Sequence, residues 1–244
     1  MFAAHSDASV KPSPIGLGRC ATSPAAAHHA AATVAPTWMA NMLAPGSTLV
    51  QAERDGEIIA QGAAVDCCYQ VISGCVRTVM LLEDGRRQIG EFLFPGDLVG
   101  WDAAGEHGFG AEAVTPATLC RIPLRAIDER AARDQSFARE LHHYMAAQLR
   151  GARARLVLLG RKTAGERVAS FILEMQERLD LPRHEAIDLP MSRADIADYL
   201  GLTIETVCRG LTELRRGGLI GIDRTRILIH DGHALGRAGS EHLH

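Results

Sequence analysis

The sequence predicts an α+β protein with an N-terminal antiparallel β-roll (a jelly roll), a long helix and a C-terminal winged helix-turn-helix. Three observations predict this fold. Short apolar runs separated by glycines fill residues 49–123, apolar residues recur every three or four positions over 124–160, and two short helical patterns meet at Gly201. We therefore divide the chain into a disordered tail (1–37), a β-roll (38–124), a dimerisation helix (125–160), a winged helix-turn-helix (161–232) and a second tail (233–244).

Composition and charge restrict the class of protein. The chain has 244 residues, of which 47% are hydrophobic and 23% charged, values that are ordinary for globular proteins. No apolar run approaches the roughly 18–20 residues of a membrane span, and the N-terminus lacks the pattern of a signal peptide. We therefore expect a cytoplasmic protein without a membrane partner. Because the net charge is −3, any affinity for nucleic acid must come from a local basic surface.

The cysteines and histidines give no pattern of a metal site or cofactor. The six cysteines are scattered without a C-x2-C pair: Cys20, Cys67, Cys68, Cys75, Cys120 and Cys208. This spacing argues against a disulfide framework and a zinc ribbon, and we expect most of them to be small buried hydrophobic side chains. His142 and His143 would point roughly 100° apart on a helix, which disfavours joint metal binding. No nucleophile–base pair or phosphate-binding loop is evident, so an enzyme is not predicted.

Turn residues separate the predicted strands of the roll. Asp84-Gly85 lies between VRTVMLLE and RRQIGEF and is a strong hairpin signal, because Asp-Gly accepts positive φ in a tight turn. Pro95-Gly96 marks a second turn. Gly74 and Gly90 fit turns or bulges better than active-site loops. The tail at 1–37 is rich in Ala, Pro and Ser and has no sustained apolar period, so we expect it to be disordered.

An apolar seam close to heptad spacing follows the roll. We assign dimerisation to five of its residues: Phe137, Leu141, Met145, Leu149 and Leu156. One long helix cannot bury such a stripe alone, so pairing with a second copy is expected; the alternative is that the stripe packs on its own roll.

The segment at 189–217 carries the signals of two capped helices. Ser192 and Asp195 are spaced as a capping box, with Asp in place of the usual Glu or Gln. Gly201 suits the left-handed turn after the first helix. Thr203 is then expected to cap a second helix that runs to about residue 216, with Val207 on its inner face.

The second helix would present a set of polar side chains near its N-terminal end: Glu205, Thr206, Cys208 and Arg209. In helix-turn-helix proteins this end enters the major groove of DNA. Glu can accept from cytosine N4, and Arg can donate to guanine O6 and N7 together. The alternative is a surface Glu205–Arg209 salt bridge at i,i+4 spacing. In this context we favour base reading, in which Glu205 would also steer Arg209.

The run LIGIDRTRILIH at 219–230 predicts a β-hairpin that turns at Asp223-Arg224-Thr225, which is the wing of a winged helix. Side chains of the same module are expected to contact DNA phosphates, which position a protein without reading sequence. They are Ser192, Arg193, Thr203, Arg215, Arg216, Arg224 and Arg226.

The chain resembles the CRP/FNR family of bacterial transcription regulators over nearly all of its length beyond the tail. The resemblance is carried by YQVISGCVR from Tyr69, DGRRQIGEF from Asp84, PGDLVGWDA from Pro95, and LTIETVCRGL, which is close to the FNR-type pattern ETxSR. It implies a cyclic-nucleotide-binding-like roll and a homodimer. It also implies binding to a palindrome of double-stranded DNA of the TTGAT-N4-ATCAA type and recruitment of RNA polymerase.

Departures from family patterns indicate the subgroup. The segment EHGFGAE at 106–112 stands where cyclic-AMP receptors hold the cyclic phosphate, but it lacks an arginine and contains carboxylates. Cys120 matches the late cluster ligand of FNR proteins, yet Cys20 is the only N-terminal cysteine, and four thiolates are normally needed. The chain therefore resembles FixK-type activators of low-oxygen respiration or nitrogen fixation, which have neither sensor. A ligand- or haem-sensing regulator with an unidentified effector in the roll is the alternative.

Cys208 directly precedes Arg209, where FNR-like proteins commonly have serine. A thiol near a helix N-terminus and beside arginine is expected to have thiolate character. One hypothesis is that oxidation of this thiol adds bulk and negative charge against DNA. The other is that the cysteine simply replaces serine in weak contacts.

Overall fold

The computed structural model describes residues 46–102, 105–182 and 185–239. The predicted tail at 1–37, Cys20 and residues 240–244 lie outside the described residues. Within the described ranges, no helix has both the length and the apolar character needed to cross a bilayer.

The N-terminal half is an antiparallel β-roll, as predicted. Two four-stranded sheets, ordered β1-β8-β3-β6 and β2-β7-β4-β5, enclose a core that includes Val71, Val76, Leu93 and Leu119. The strands are β1 (Thr48–Ala52), β2 (Glu57–Ile59), β3 (Cys67–Ser73), β4 (Val76–Leu81), β5 (Arg87–Leu93), β6 (Leu98–Val99), β7 (Gly110–Ala113) and β8 (Ala117–Pro123).

The predicted glycine turns and bulges of the roll are confirmed. Gly85 has φ 83° in the hairpin between β4 and β5. Gly74 has φ 87°, and a Cβ there would lie 2.5 Å from the carbonyl oxygen of Pro116, so no side chain fits. Gly90 lies in β5 opposite the register shift between Arg77 and Val79 in β4. Gly85 and Gly90 thus shape the β4–β5 hairpin, and Gly74 shapes the turn between β3 and β4.

The predicted single helix over 124–160 is two helices, so this prediction is wrong. Helix α1 (Leu124–Arg133) ends at Asp134, and α2 (Gln135–Arg161) begins directly after it. Asp134 is extended, with φ −123° and ψ 98°, and its carboxylate accepts hydrogen bonds from the backbone N–H groups of Ser136 and Phe137. A capping carboxylate satisfies donors that a continuous helix would have satisfied internally, so it starts a new helix.

The prediction that Phe137 belongs to an exposed dimerisation seam is also wrong. Phe137 is only 2% exposed and packs in a cluster with Ile127 and residues of the roll, with the Arg130 guanidinium 4.3 Å from its ring centroid. Leu141 is partly buried against the same cluster. Further along α2, Met145, Leu149 and Leu156 are 41%, 53% and 73% exposed. The apolar face that remains exposed on α2 therefore begins after Leu141.

The C-terminal half is a winged helix-turn-helix, as predicted. A three-stranded antiparallel sheet has the order β10-β11-β9. The elements are α3 (Ala164–Arg178), β9 (Ile187–Asp188), α4 (Arg193–Leu200), α5 (Ile204–Arg216), β10 (Ile220–Asp223), β11 (Arg226–Ile229) and α6 (Gly232–Ala238).

Helix α6 contradicts the prediction of a loose tail from residue 233. The Asp231 side chain accepts a hydrogen bond from the backbone N–H of Ala234 and so caps the helix. Leu235 is fully buried in the C-terminal core. One buried leucine per two turns gives too weak a period to detect in sequence, yet it is enough to dock the helix on α3.

A single apolar cluster joins the roll to the winged helix-turn-helix. Phe92 of β5 lies with its ring centroid 5.0 Å from that of Tyr199 in α4 and 6.4 Å from that of Phe171 in α3. All three rings are essentially inaccessible to solvent. At the junction of α2 and α3, Arg167 donates hydrogen bonds to the carbonyl oxygens of Leu159 and Lys162.

Candidate nucleic-acid interface

A reciprocal capping box starts helix α4, as the sequence predicts. The backbone N–H of Asp195 donates to Ser192 Oγ at 3.1 Å, and the backbone N–H of Ser192 donates to Asp195 Oδ2 at 3.0 Å. Gly201 ends the helix in the left-handed conformation, with φ 61° and ψ 44°. The carbonyl of Leu200 also accepts a hydrogen bond from Arg167 at 3.0 Å. Both ends of α4 are therefore fixed, which defines the direction in which α5 leaves the turn.

Helix α5 has one buried face and one exposed face. Thr203 caps it, because the backbone N–H of Thr206 donates to Thr203 Oγ1 at 3.2 Å. Val207 is buried, as its predicted place on the inner face requires, and Leu211 and Leu214 are buried on the same face. The predicted base-reading side chains lie on the other side, where Glu205, Cys208 and Arg209 are exposed and Thr206 is half-buried.

Glu205 does not pair with Arg209, which differs from the expectation that one steers the other. In the described part of the chain no ion pair joins them; the Glu205 carboxylate instead accepts hydrogen bonds from its own backbone N–H and from the Thr203 hydroxyl. These bonds hold the pKa of Glu205 below its ordinary value, so the carboxylate is ionised at neutral pH. Glu205 therefore presents a charged carboxylate at the helix N-terminus, and the described residues provide no ion-pair partner for Arg209.

The wing and the first helix meet at Arg193. This side chain donates to the carbonyl oxygen of Arg224 in the wing turn at 3.4 Å. Burial lowers the pKa of Arg193, and the proximity of Cys208 acts in the opposite direction. Arg193 therefore lies between the wing and the exposed face of α5, close to the thiol that precedes Arg209.

The predicted hairpin at Asp223-Arg224-Thr225 is formed. Arg224 has φ 55°, and the Thr225 hydroxyl donates to Asp188 Oδ1 at 2.8 Å, which ties the turn to β9. The predicted phosphate contacts on these elements lie in exposed positions, except for half-buried Arg193. The exposed ones are Ser192, Thr203, Arg215, Arg216, Arg224 and Arg226.

An ionic cluster that the sequence did not reveal connects the capping box to the roll. Asp195 is 5% exposed, and its Oδ1 lies 3.1 Å from Arg77 Nη1 and 2.8 Å from Arg87 Nη2. Arg87 also contacts Asp198 Oδ2 at 2.7 Å. Burial acts to raise the pKa of Asp195, but hydrogen bonds from Ser192 and the charges of the two arginines outweigh it and hold the pKa below its ordinary value of 3.8.

Glu112 also takes part in this cluster; it lies in the segment 106–112, which is expected to stand where cyclic-AMP receptors hold the cyclic phosphate. Arg77 donates from Nε and Nη2 to Glu112 Oε2 at 2.9 and 2.7 Å. The charge of Glu112 is therefore compensated by an arginine of β4, which the sequence did not predict. Between β5, β6 and α2 lies a cavity of about 500 Å³, whose lining includes Gln88, Trp101, Tyr144 and Arg155.

Of the cysteines that the structure describes, four are buried, as expected. Burial raises the pKa of Cys68 and of Cys75 to about 12, and it also raises the pKa of Cys67 and Cys120. Cys208 is exposed, so it is the one described cysteine that solvent reaches.

Comparison with known proteins matches both halves of the chain to families. Residues 166–238 match the Crp-like helix-turn-helix domain, and residues 49–134 match the cyclic nucleotide-binding domain. The nitrogen fixation regulation protein FixK of Azorhizobium caulinodans is 42% identical over 191 residues, 77% of each chain. FixK of Rhizobium meliloti is 43% identical over 184 residues, 75% of this chain and 83% of its own.

A solved structure also matches this chain to a FixK protein. FixK2 from Bradyrhizobium japonicum superimposes with a TM-score of 0.75 at 39% identity, over 80% of this chain and 98% of that one. These relatives are transcription regulators and not enzymes. The chain therefore belongs to the CRP/FNR family of transcription regulators, as a FixK-type member with a helix-turn-helix DNA-binding domain.

Proposed function

We propose that this protein is a cytoplasmic homodimeric activator that binds a TTGAT-N4-ATCAA-like palindrome and recruits RNA polymerase, without a cyclic nucleotide or an iron–sulfur cluster. The observation that carries the proposal is the exposed N-terminal end of α5, where an ionised carboxylate stands one turn from the Arg209 guanidinium, for which the described residues provide no ion-pair partner. The names of the FixK relatives support a role in the regulation of nitrogen fixation. A role in the low-oxygen response is what the family resemblance implies. The end of the β-roll at residue 124 and the start of the winged helix-turn-helix at residue 161 are part of the same proposal.

In this proposal Arg209 donates to O6 and N7 of the guanine in TTGAT, and Glu205 accepts from a cytosine N4. Thr206 and Cys208 contact neighbouring base edges. The exposed cations and hydroxyls of α4, α5 and the wing bind phosphates: Ser192, Arg193, Thr203, Arg215, Arg216, Arg224 and Arg226. A protein with net charge −3 needs such a local set, because phosphate neutralisation supplies most non-specific affinity.

Dimerisation is assigned to the exposed face of α2. Met145, Leu149 and Leu156 remain accessible on a helix of 27 residues, and a second copy of the same helix is the partner that the family resemblance implies. A two-fold axis along this helix would place two recognition helices on successive major grooves, about 34 Å apart.

The test is binding of the purified protein, with no added effector, to a labelled duplex that contains TTGAT-N4-ATCAA. We expect fluorescence anisotropy to give a Kd of about 10⁻⁸ M or tighter and an affinity at least ~10³-fold above that for a scrambled duplex. A protein that binds both duplexes alike would contradict the proposal.

A second candidate function, an effector-controlled regulator, is favoured by the cavity beside α2. Its volume of about 500 Å³ is enough for a small molecule, and Arg155 in its lining also stacks on Tyr199 of the helix-turn-helix at 3.6 Å. If this candidate is correct, the effector-free protein will fail to bind the palindrome, and titration with cyclic AMP or haem will restore binding.

We also propose that oxidation of Cys208 weakens DNA binding. Peroxide would transfer one oxygen atom to the thiolate sulfur and leave as water, giving a sulfenic acid that further peroxide converts to an ionised sulfinate. The exposed position beside Arg193 and one residue before Arg209 supports this proposal. We expect peroxide to weaken operator binding by the wild type and not by Cys208→Ser; equal weakening of both would contradict it.

A further inference from the structure

We infer that Arg77 and Arg87 of the roll are positioning residues for DNA reading, because they hold the helix-turn-helix at a fixed orientation through Asp195 and Asp198. We call these four residues the arginine clamp. The inference rests on the proposed palindrome in one respect: fixed orientation matters most when two half-sites must be read together.

The clamp joins elements that are far apart in the chain. Arg77 and Asp195 are 118 positions apart, and Arg87 and Asp195 are 108 apart. Three guanidinium–carboxylate contacts of 2.7–3.1 Å converge on about one turn of α4. Gln88 adds a hydrogen bond from Nε2 to the carbonyl oxygen of Asp198 at 2.6 Å. Charge-assisted hydrogen bonds of this kind are short and directional.

Asp195 transmits this position to the DNA-reading helix. Its Oδ2 accepts the reciprocal hydrogen bonds of the capping box, while its Oδ1 accepts from both arginines. One carboxylate therefore fixes the start of α4 both internally and against the roll. At the other end of α4, the left-handed Gly201 leads directly into α5. A rotation of α4 on the roll would turn α5 by the same amount.

The apolar part of the interface cannot fix orientation to the same degree. Phe92, Phe171 and Tyr199 bury apolar surface between the halves, but the hydrophobic effect is not directional. The clamp lies at one edge of this cluster and supplies angular restraint. Removing an arginine should therefore leave the halves associated but less well aligned.

The docked orientation leaves the DNA-reading surface accessible. Glu205, Cys208 and Arg209 are exposed, and among the described residues no hydrogen bond or ion pair joins them to the roll. The clamp thus favours the reading state instead of blocking it. If only a fraction of molecules is aligned, the apparent Kd rises in inverse proportion to that fraction.

The test compares operators in which the N4 spacer is replaced by N3 or N5. Arg87→Gln removes one clamp arginine that is partly exposed, so the fold should survive. The matched control is Arg86→Gln, because Arg86 is the adjacent residue and its ion pair within the described part of the chain is with Asp84 in the hairpin turn. We expect Arg87→Gln to bind the N4 operator about tenfold more weakly and to discriminate less against N3 and N5 than the wild type or Arg86→Gln.

A purely structural role would weaken binding to all three operators by the same factor and leave spacer discrimination unchanged, which would overturn the inference. Arg87→Glu gives the second criterion. It places a carboxylate against Asp195 and Asp198, so it should lose more spacer discrimination than Arg87→Gln. Equal discrimination by Arg87→Glu and the wild type would also overturn the inference.

Proteolysis gives a readout that is independent of DNA. Lys162 follows α2 at the junction with α3 and is the only lysine after residue 11. Lysine-specific cleavage at this site should be faster in Arg87→Gln than in Arg86→Gln. If the wild type binds no palindrome, the proposed function fails, but the cleavage assay still tests the clamp. Equal cleavage of Arg87→Gln and Arg86→Gln would then overturn the clamp as well. Faster cleavage of Arg87→Gln would support it.

Discussion

Phe92→Ala should destabilise both halves of the protein, although the residue belongs to the roll. Phe92 is fully buried, and its ring contacts Phe171 and Tyr199 across the interface. A Phe→Ala change in a core typically costs about 3–5 kcal/mol of unfolding free energy. The ring contacts both α3 and α4, so the cavity left by Phe92→Ala could close only if α3 or α4 moved. We therefore expect the cost to be about 4 kcal/mol.

The free energy of unfolding can be measured by urea denaturation followed by far-UV circular dichroism, at one fixed protein concentration. With a slope of about 1–3 kcal/mol per molar urea, the midpoint should fall by more than about 1 M. The control is Leu81→Ala in the neighbouring strand β4, where the side chain is 60% exposed and the change should cost less than about 0.5 kcal/mol.

Hydrogen exchange locates the effect. We expect amides of α3 and α4 to lose protection together with those of β5, because a shared core unfolds as a unit. A loss of stability below about 1 kcal/mol, or a loss confined to β5, would refute the reasoning that one core joins the two halves.

Three further predictions concern the seam, the cap and the clamp. Leu149→Glu places a charge on the exposed face of α2, and sedimentation should show a monomer. Thr203→Ala removes the cap of α5 and should lower the unfolding free energy by about 0.5–2 kcal/mol in urea denaturation. Asp195 has a lowered pKa, so its contribution to the free energy of unfolding is present above pH 3.8 and is lost as the pH falls below that value. The difference in unfolding free energy between the wild type and Asp195→Asn should therefore shrink as the pH falls.

The sequence predicted best what depends on neighbouring residues. Ser192, Gly201 and Thr203 were identified from capping chemistry, which acts within one helical turn. The Asp84-Gly85 hairpin depends in the same way on local backbone conformation. Each of these features recurs wherever the same few residues stand together, so no knowledge of the rest of the chain was needed.

The features that the sequence did not predict depend on distant partners. Phe137 has the correct spacing for a seam, but periodicity predicts only which face of the helix is apolar and not which element packs on that face. At Phe137 the roll packs on it. The apolar period continues past Asp134, but the helix does not, because the Asp134 carboxylate satisfies two backbone donors and starts a new helix. The pairing of Arg77 with Asp195 spans 118 positions, and nothing local to either residue signals it.

The most direct test of the central claim is a cycle that combines Arg209→Ala with substitution of the guanine in TTGAT. We predict that Arg209→Ala and the base substitution each weaken wild-type binding by about 1–3 kcal/mol per half-site, and that the variant no longer distinguishes guanine from the substituted base. If Arg209→Ala keeps full discrimination at this position, Arg209 does not read the guanine, and the assignment of the base-reading surface of α5 is contradicted.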